Sequence, residues 1–291
     1  MEKLLITGSE GFIGSHLKKY FHNKFEILGL DTKISIFHDI RYINYISKYI
    51  CDFQPDYIIH LAANPDVSIS TIYPQEDLLL NVNGTLNILE LAKKVNVKLI
   101  IFTSSACVYG ETTKEKIDEE SPILPSSQYG VGKFAAEEYC RLYFRKYKLP
   151  VVIFRQFNIY GPNQSTNFVI PNLIKRIKEC KESRLMLYGA PTDARDFTNV
   201  KDLCRAFECS LKCKPAGETF NIGSGNEYKI FDIAQIIKKF LKKDIELYYS
   251  DHILPGKISR LCADISKAKK ILKWKPQISI EEGLFNLINY K

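Results

Sequence analysis

The sequence predicts an α/β protein built on a doubly wound parallel sheet, with a smaller C-terminal α/β lobe closely attached. Three observations carry that prediction. Short aliphatic segments alternate with helix-length ones through the first half, a glycine-rich turn follows the first aliphatic segment, and the alternation loosens beyond residue 160. Strand, helix, strand repeated in this way favours parallel strands covered by helices on both faces.

Taken in order, "KLLIT" (3–7) reads as a buried strand, and "TGSEGFIG" after it places Gly8, Gly11 and Gly14 in a GxxGxxG spacing. "FEILGLD" (25–31), "YIIHLAA" (57–63), "KLIIFTSS" (98–105) and "VVIFRQF" (151–157) have the short aliphatic character of strands buried on both faces. Pro74 opens a helix leading into "NVNGT" (81–85), since proline suits a first helical position. Helical patterns follow at Gly84–Val95 and Ser127–Lys148. "YGPNQSTN" (160–167) is rich in turn formers. Beyond it the pattern predicts a helix over Val169–Lys181, a strand around 185–188, and helices near 200–212, 230–243 and 281–289. The expected division is a nucleotide-binding domain over 1–165 and a substrate lobe over 166–291, with segments around 190–225 returning to the first domain.

A chain of 291 residues can bury roughly 75% of its unfolded surface, enough for two lobes sharing a cleft. The longest apolar runs are strand-sized, far short of a membrane span. The chain passes from "MEK" straight into a strand, which sets the expectation of a cytoplasmic protein. Its net charge of +8 is spread over "IKKFLKK" and "KAKK", whose spacing is that of solvated helix faces, and no nucleic-acid-reading motif accompanies it. A nucleic-acid partner is therefore not expected, whereas a positive field favours a phosphorylated small substrate. The eight cysteines (51, 107, 140, 180, 204, 209, 213 and 262) show no CxxC pair and are read as reduced thiols, with no metal site.

The glycine triplet gains meaning from its context. Glycines let backbone N–H groups approach a pyrophosphate at the positive end of the following helix. Asp31 closes the second strand, where a carboxylate can accept from ribose hydroxyls and repel a 2′-phosphate; NAD is favoured over NADP, with Lys33 nearby pulling the other way. Downstream, "YGVGK" puts Tyr129 and Lys133 four residues apart on one helix face. In that arrangement the ammonium can reach the phenol and favour its ionised form, so that a tyrosine could act as a base near neutral pH.

With these pieces in order, the chain resembles an extended short-chain dehydrogenase/reductase of the NAD-dependent nucleotide-sugar epimerase and dehydratase group, whose sheet is of the Rossmann type. The resemblance runs nearly end to end, through "TGSEGFIG", "HDI" (38–40), "HLAA" (60–63), "NVNGT", "SSACVYG", "YGVGK", "RQFNIYGPNQ" (155–164), "RDFTNVKD" (195–202), "FNIGSG" (220–225) and "ADISKAKKILKWKP" (263–276). It implies that NAD is held by Gly8, Gly11, Phe12, Ile13, Gly14, Asp31, Asp39, Ile40, Leu61, Ala62, Ala63, Asn81, Tyr129 and Lys133. It also implies that Tyr129 is the catalytic base, that Lys133 holds it and the ribose, and that Ser105 hydrogen-bonds the reacting oxygen. A nucleotide-diphosphate sugar would meet Ser70, Ser105, Asn158, Val169, Arg195 and Arg260. A homodimer through helices spanning about 75–96 and 127–148 follows from the resemblance alone.

Departures from the family pattern narrow the activity. Sugar 4,6-dehydratases of the group carry Asp and Glu directly after the hydroxyl residue; here those positions are Ala106 and Cys107. In related 3,5-epimerases a cysteine at the second position works with a His or Lys ahead of a "VIP"-like segment, and here that partner is Phe168. Cys107 is accordingly read as a pocket-lining thiol in preference to an acid/base group. Arg195 faces either a diphosphate or an ion pair with Asp196 or Asp202. Where many relatives place a second arginine clamp this chain has Leu254, with Lys257 in place of an acid, and Arg260 is the expected substitute. The reading is an NAD-dependent nucleotide-sugar epimerase working through a C4-keto intermediate. The alternatives are a 4-reductase or 4-dehydrogenase with net hydride transfer, and a catalytically inactive NAD-binding regulatory protein.

Overall fold

Six parallel strands form the central sheet in the order β10-β5-β4-β3-β1-β2. They are β1 (Lys3–Thr7), β2 (Glu26–Leu30), β3 (Tyr57–His60), β4 (Leu99–Ser105), β5 (Val151–Gln156) and β10 (Thr219–Ile222). Short pairs complete the strand set: β6 (Asn158–Tyr160) with β9 (Phe197–Asn199), β7 (Arg184–Leu187) with β12 (Glu246–Tyr249), and β8 (Ala194–Arg195) with β11 (Tyr228–Lys229). The structure, a computed structural model, describes residues 1–112, 114–249 and 260–290.

The helices are α1 (Phe12–Phe21), α2 (Ile43–Phe53), α3 (Val67–Ile72), α4 (Pro74–Leu78), α5 (Gly84–Lys94), α6 (Gln128–Tyr147), α7 (Val169–Glu179), α8 (Val200–Cys213), α9 (Ile230–Phe240), α10 (Ser266–Ile271) and α11 (Ile280–Ile288). Strand periodicity sorts the core into two layers. Leu4, Ile6, Ile59, Ile101 and Phe154 pack with Leu17, Phe21, Leu203 and Phe207 of α1 and α8. Their neighbours Leu5, Ile58, Ile100, Phe102 and Ile153 pack with Ile46, Leu89, Ala136 and Cys140 of α2, α5 and α6. Successive residues of a strand face opposite ways, so each strand is apolar throughout. A third cluster built around α7, α9 and α11 forms the core of the smaller lobe.

Two differences from the predicted elements bear on the site. The third strand ends at His60, not residue 63: Leu61 N still donates to Thr7 O at 3.2 Å, and Leu61, Ala62 and Ala63 then line the cleft. The helix that Pro74 opens passes through a π-helical turn, Leu79–Asn83, before α5 begins. No helix among the described residues is long and apolar enough to cross a membrane. All eight cysteines are free thiols. Among the described residues no group of three or more His, Cys, Asp or Glu could hold a metal ion.

Candidate active site

The strand order reverses between β1 and β3, and the crevice beyond the carboxyl ends of strands at such a point is the usual ligand site of an open α/β sheet. A cleft of about 760 Å³ opens here. Gly8, Gly11, Phe12, Ile13 and Gly14 form one wall with Asp31, Asp39 and Ile40, and Leu61, Ala62 and Ala63 face them from the end of β3. Ser105, Asn158 and Val169 continue the lining towards the smaller lobe, and Tyr129 and Lys133 enter from α6.

The loop after β1 fits a dinucleotide closely. Gly8 has φ +70, and a Cβ there would stand 2.9 Å from Ala62 N; a Cβ on Gly14 would stand 2.2 Å from Gly8 O. The loop therefore presents bare backbone at the start of α1, as a pyrophosphate requires. Asp31 is both a turn residue and a cleft residue: its carboxylate accepts from Glu10 N and Lys33 N, each at 2.9 Å, and it lines the cleft. These residues line one cleft with Asp39, Ile40 and the Leu61–Ala63 segment, and together they could hold NAD.

Asn81 is placed differently from the expectation. It is fully buried in the π-helical turn, donates to Asp77 Oδ1 at 2.8 Å, and does not line the cleft. Its backbone carbonyl accepts from Thr85 Oγ1 at 2.6 Å, so it serves helix geometry. Ser70, expected at the substrate, supports the helix that carries Tyr129 in the free protein. Its buried hydroxyl donates to Val67 O at 2.7 Å and accepts from Tyr129 N at 3.2 Å, holding the first turn of α6.

Ser105, Cys107 and Tyr129 come together at the end of β4. Ser105 accepts from Cys107 N at 3.2 Å, capping the 3-10 turn Ala106–Tyr109. Tyr129 is 8% exposed; burial and the Cys107 thiol push its phenol above the ordinary value, while the Ser105 hydroxyl pulls the other way. Lys133 shares the helix face but not the expected contact. Its ammonium donates to Thr103 O at 2.8 Å, and Nζ is 6.0 Å from the Tyr129 ring centroid. Burial brings Lys133 down to about 8, against Asp77, Cys140 and Glu137, which raise it. In the free protein the phenol is therefore protonated, and the lysine carries a labile charge beside it.

Cys107 lines the cleft, half-buried. Burial pushes its thiol up, against the Ser105 hydroxyl and the Arg195 guanidinium. A thiol held above its ordinary value stays protonated near neutral pH, so little thiolate is present to take up a proton, which suits a wall more than a proton shuttle. Cys107→Ala is expected to lower kcat by less than roughly tenfold, about 1.4 kcal/mol of barrier. Steady-state kinetics check this, and a thousandfold loss would make the thiol an acid/base group.

Asn158 donates through Nδ2 to Asp196 O at 3.1 Å. Arg195 lies near enough to the cleft residue Cys107 for its charge to act on the thiol, and it is not in the alternative ion pair with Asp196 or Asp202. The Asp196 carboxylate is taken by the amides of Ser224, Gly225 and Ala263, and that of Asp202 by Gln277 N, Ile278 N and Arg205. Among the described residues Arg195 has no salt bridge, and its Nη1 donates to Ala194 O at 2.8 Å. The Arg260 guanidinium, expected at the diphosphate, is paired in the free protein with Glu227, with Nη2 at 2.6 Å and Nε at 3.0 Å. Leu254 and Lys257 lie outside the described residues.

His60 is a core residue between Thr7 and Thr85, at 2.7 and 3.0 Å, and burial keeps it neutral with a pKa of about 3. The residue types did not single out Thr103, whose carbonyl holds Lys133, because every residue carries a carbonyl. Glu137 did leave a signal, four residues beyond Lys133 and thus on the same helix face.

Residues 4–223 match the model of the NAD dependent epimerase/dehydratase family. A UDP-glucuronate 4-epimerase of Thermodesulfobacterium geofontis is 33% identical over 312 residues, covering 98% of this chain and 95% of its own. The dTDP-D-glucose 4,6-dehydratase of Homo sapiens is 28% identical, covering 99% of this chain and 89% of its own. Among solved structures, UDP-glucose 4-epimerase from Thermotoga maritima, crystallised with UDP-glucose, superposes with a TM-score of 0.92 at 29% identity, covering 99% of this chain and 98% of that one.

Proposed function

The chain belongs to the NAD dependent epimerase/dehydratase family, and from that premise we propose that it is a nucleotide-sugar 4-epimerase acting through a keto-sugar intermediate. The relatives include both epimerases and dehydratases. The observation that carries the choice is Ala106 and Cys107 beside Ser105: neither residue is a carboxylate, and the thiol is pushed above its ordinary value. Eliminating water needs an acid and a base on the sugar, whereas inverting a carbinol centre through a ketone needs a single group to take up and return one proton.

Bound NAD supplies the hydride acceptor and donor for the carbinol carbon, and a cationic ring in the cleft. Tyr129 Oη takes the hydroxyl proton on oxidation and returns it on re-reduction from the opposite sugar face. Ser105 Oγ hydrogen-bonds the reacting oxygen in both halves. Lys133, anchored on Thr103 O, contributes a positive charge beneath the phenol that favours its ionised form. Proton and hydride both leave and return, so turnover changes no mass. Asn158, Val169 and Arg195 are the candidates for contact with the sugar diphosphate.

The test offers UDP-, dTDP-, GDP- and CDP-sugars to the NAD-loaded enzyme and reads product mass by liquid chromatography and mass spectrometry. A new peak of unchanged mass is the expected result. Products two hydrogens heavier or lighter would replace the reading with a reductase or dehydrogenase, and loss of water would overturn the argument from Ala106 and Cys107. A homodimer is the proposed assembly. Tyr73, Leu78 and Leu79 on or beside α4, with Val131, Tyr139 and Leu142 on α6, leave apolar side chains exposed on elements that pack together. A monomer by sedimentation equilibrium would refute it.

A further inference from the structure

One residue back from Ser105 and one helical turn on from Lys133 lies a buried ionic network that the mechanism above does not use. Glu137 is fully buried and Arg155 is 3% exposed. The Glu137 carboxylate accepts from Ser104 Oγ at 2.5 Å, from Arg155 Nη2 at 2.8 Å and Nε at 3.0 Å, and from Arg141 Nη2 at 2.7 Å. Arg155 Nη1 continues to Tyr109 Oη at 2.9 Å and Glu119 O at 3.1 Å, and Tyr109 Oη donates to Asn221 Oδ1 at 2.7 Å.

The placement of these groups follows from strand alternation. Phe102 and Ile153 face the α6 side of the sheet, and two residues on, Ser104 and Arg155 face the same way as register partners on β4 and β5. Ser104 directly precedes Ser105, and Tyr109 closes the turn that Ser105 caps. Glu137 lies four residues after Lys133 and eight after Tyr129, in line along α6. A buried charge bonded on every side fixes geometry more than it adds stability.

We propose that Glu137 is a positioning residue: it ties the strand end carrying Ser105 to the helix carrying Tyr129 and Lys133, and sets a fixed negative charge one turn along from the Lys133 ammonium. The proposal rests on the roles given above to Ser105, Tyr129 and Lys133. The charges around that ammonium come from few directions. Asp77 faces it from α4, Glu137, Cys140 and Tyr129 share α6 with it, neutral His60 lies nearby on β3, and β4 offers the Thr103 carbonyl. Arg155 and Arg141 hold the Glu137 carboxyl below its usual range although burial opposes them, so Glu137 is charged where Lys133 titrates.

The test uses the full chain and reads two quantities: NAD affinity against pH by calorimetric titration, and kcat and KM on the nucleotide sugar that the wild type turns over. A protonated Lys133 holds the ribose, so affinity falls as pH rises through its pKa of about 8. Glu137→Gln is expected to move that fall to lower pH by ~0.5 unit or more and to cut kcat about tenfold or more with KM within about threefold. Glu137→Asp, which keeps the charge, should restore the pH dependence. Ser104→Ala, which keeps the charge and breaks the strand contact, should lower kcat by about threefold to tenfold without moving the pH dependence. An unmoved pH dependence in Glu137→Gln, or a kcat loss no greater than the loss of folded protein, overturns the proposal. Should Glu137→Gln fail to fold, unchanged kcat in Ser104→Ala overturns it. A wild type that turns over no nucleotide sugar defeats the functional reading, while the pH shift in NAD binding still decides this one.

Discussion

Tyr129→Phe is expected to lower kcat by about 10²–10⁴-fold, the range that a positioned acid/base group contributes, while NAD affinity stays within about threefold of the wild type. The ring is buried, so phenylalanine keeps the packing and removes only the hydroxyl. The neighbours are poor replacements: burial pushes the Cys107 thiol up, and a serine hydroxyl such as Ser105 is a far weaker acid than a phenol and does not ionise near neutral pH. Rapid-quench turnover with calorimetric NAD titration checks both halves, and retained turnover would move the base elsewhere. Wild-type activity should also fall as pH rises through about 8, where Lys133 loses its proton and the phenol its stabilising charge.

Gly14→Ala should weaken NAD binding, which Tyr129→Phe leaves intact. A Cβ there would stand 2.2 Å from Gly8 O, 2.8 Å from Ser9 Cα and 2.9 Å from Ser9 C, all backbone atoms that no rotamer change can move aside. Forcing extra volume into such a site costs about 1–3 kcal/mol, which becomes roughly 10–100-fold in Kd if the loop shifts to relieve it. Gly11→Ala is the control, since its Cβ meets one atom, Gly8 O, at 3.2 Å. A titration giving Gly14→Ala an unchanged Kd would mean that the backbone of this loop does not approach the cofactor.

Much of the fold was legible because its signals are local. Five of the six sheet strands stand out as aliphatic runs, since a strand buried on both faces has no polar side. The sixth, Thr219–Ile222, lies in "FNIGSG", which carried the resemblance but no strand reading, because its Phe and Ile alternate with polar residues and form no aliphatic run. Helices α6, α7, α8 and α11 fall within two residues of the predicted ends. The π-helical turn at Leu79–Asn83, in which Asn81 donates to Asp77, had no local mark.

The sequence by itself determined the glycine loop before α1, the acid at the end of β2, the hydroxyl at the end of β4 and the tyrosine-lysine pair on one face of α6. Each depends on residue type and on spacing within one element, which chain geometry fixes. The tertiary structure alone decided which partner each polar group takes. It gave the Lys133 ammonium to Thr103 O, the Ser70 hydroxyl to Tyr129 N, the Arg260 fork to Glu227, and the Glu137 carboxylate to Ser104 and Arg155. A buried donor or acceptor must be satisfied by whatever the packing brings within about 3 Å, and that neighbour comes from a distant part of the chain.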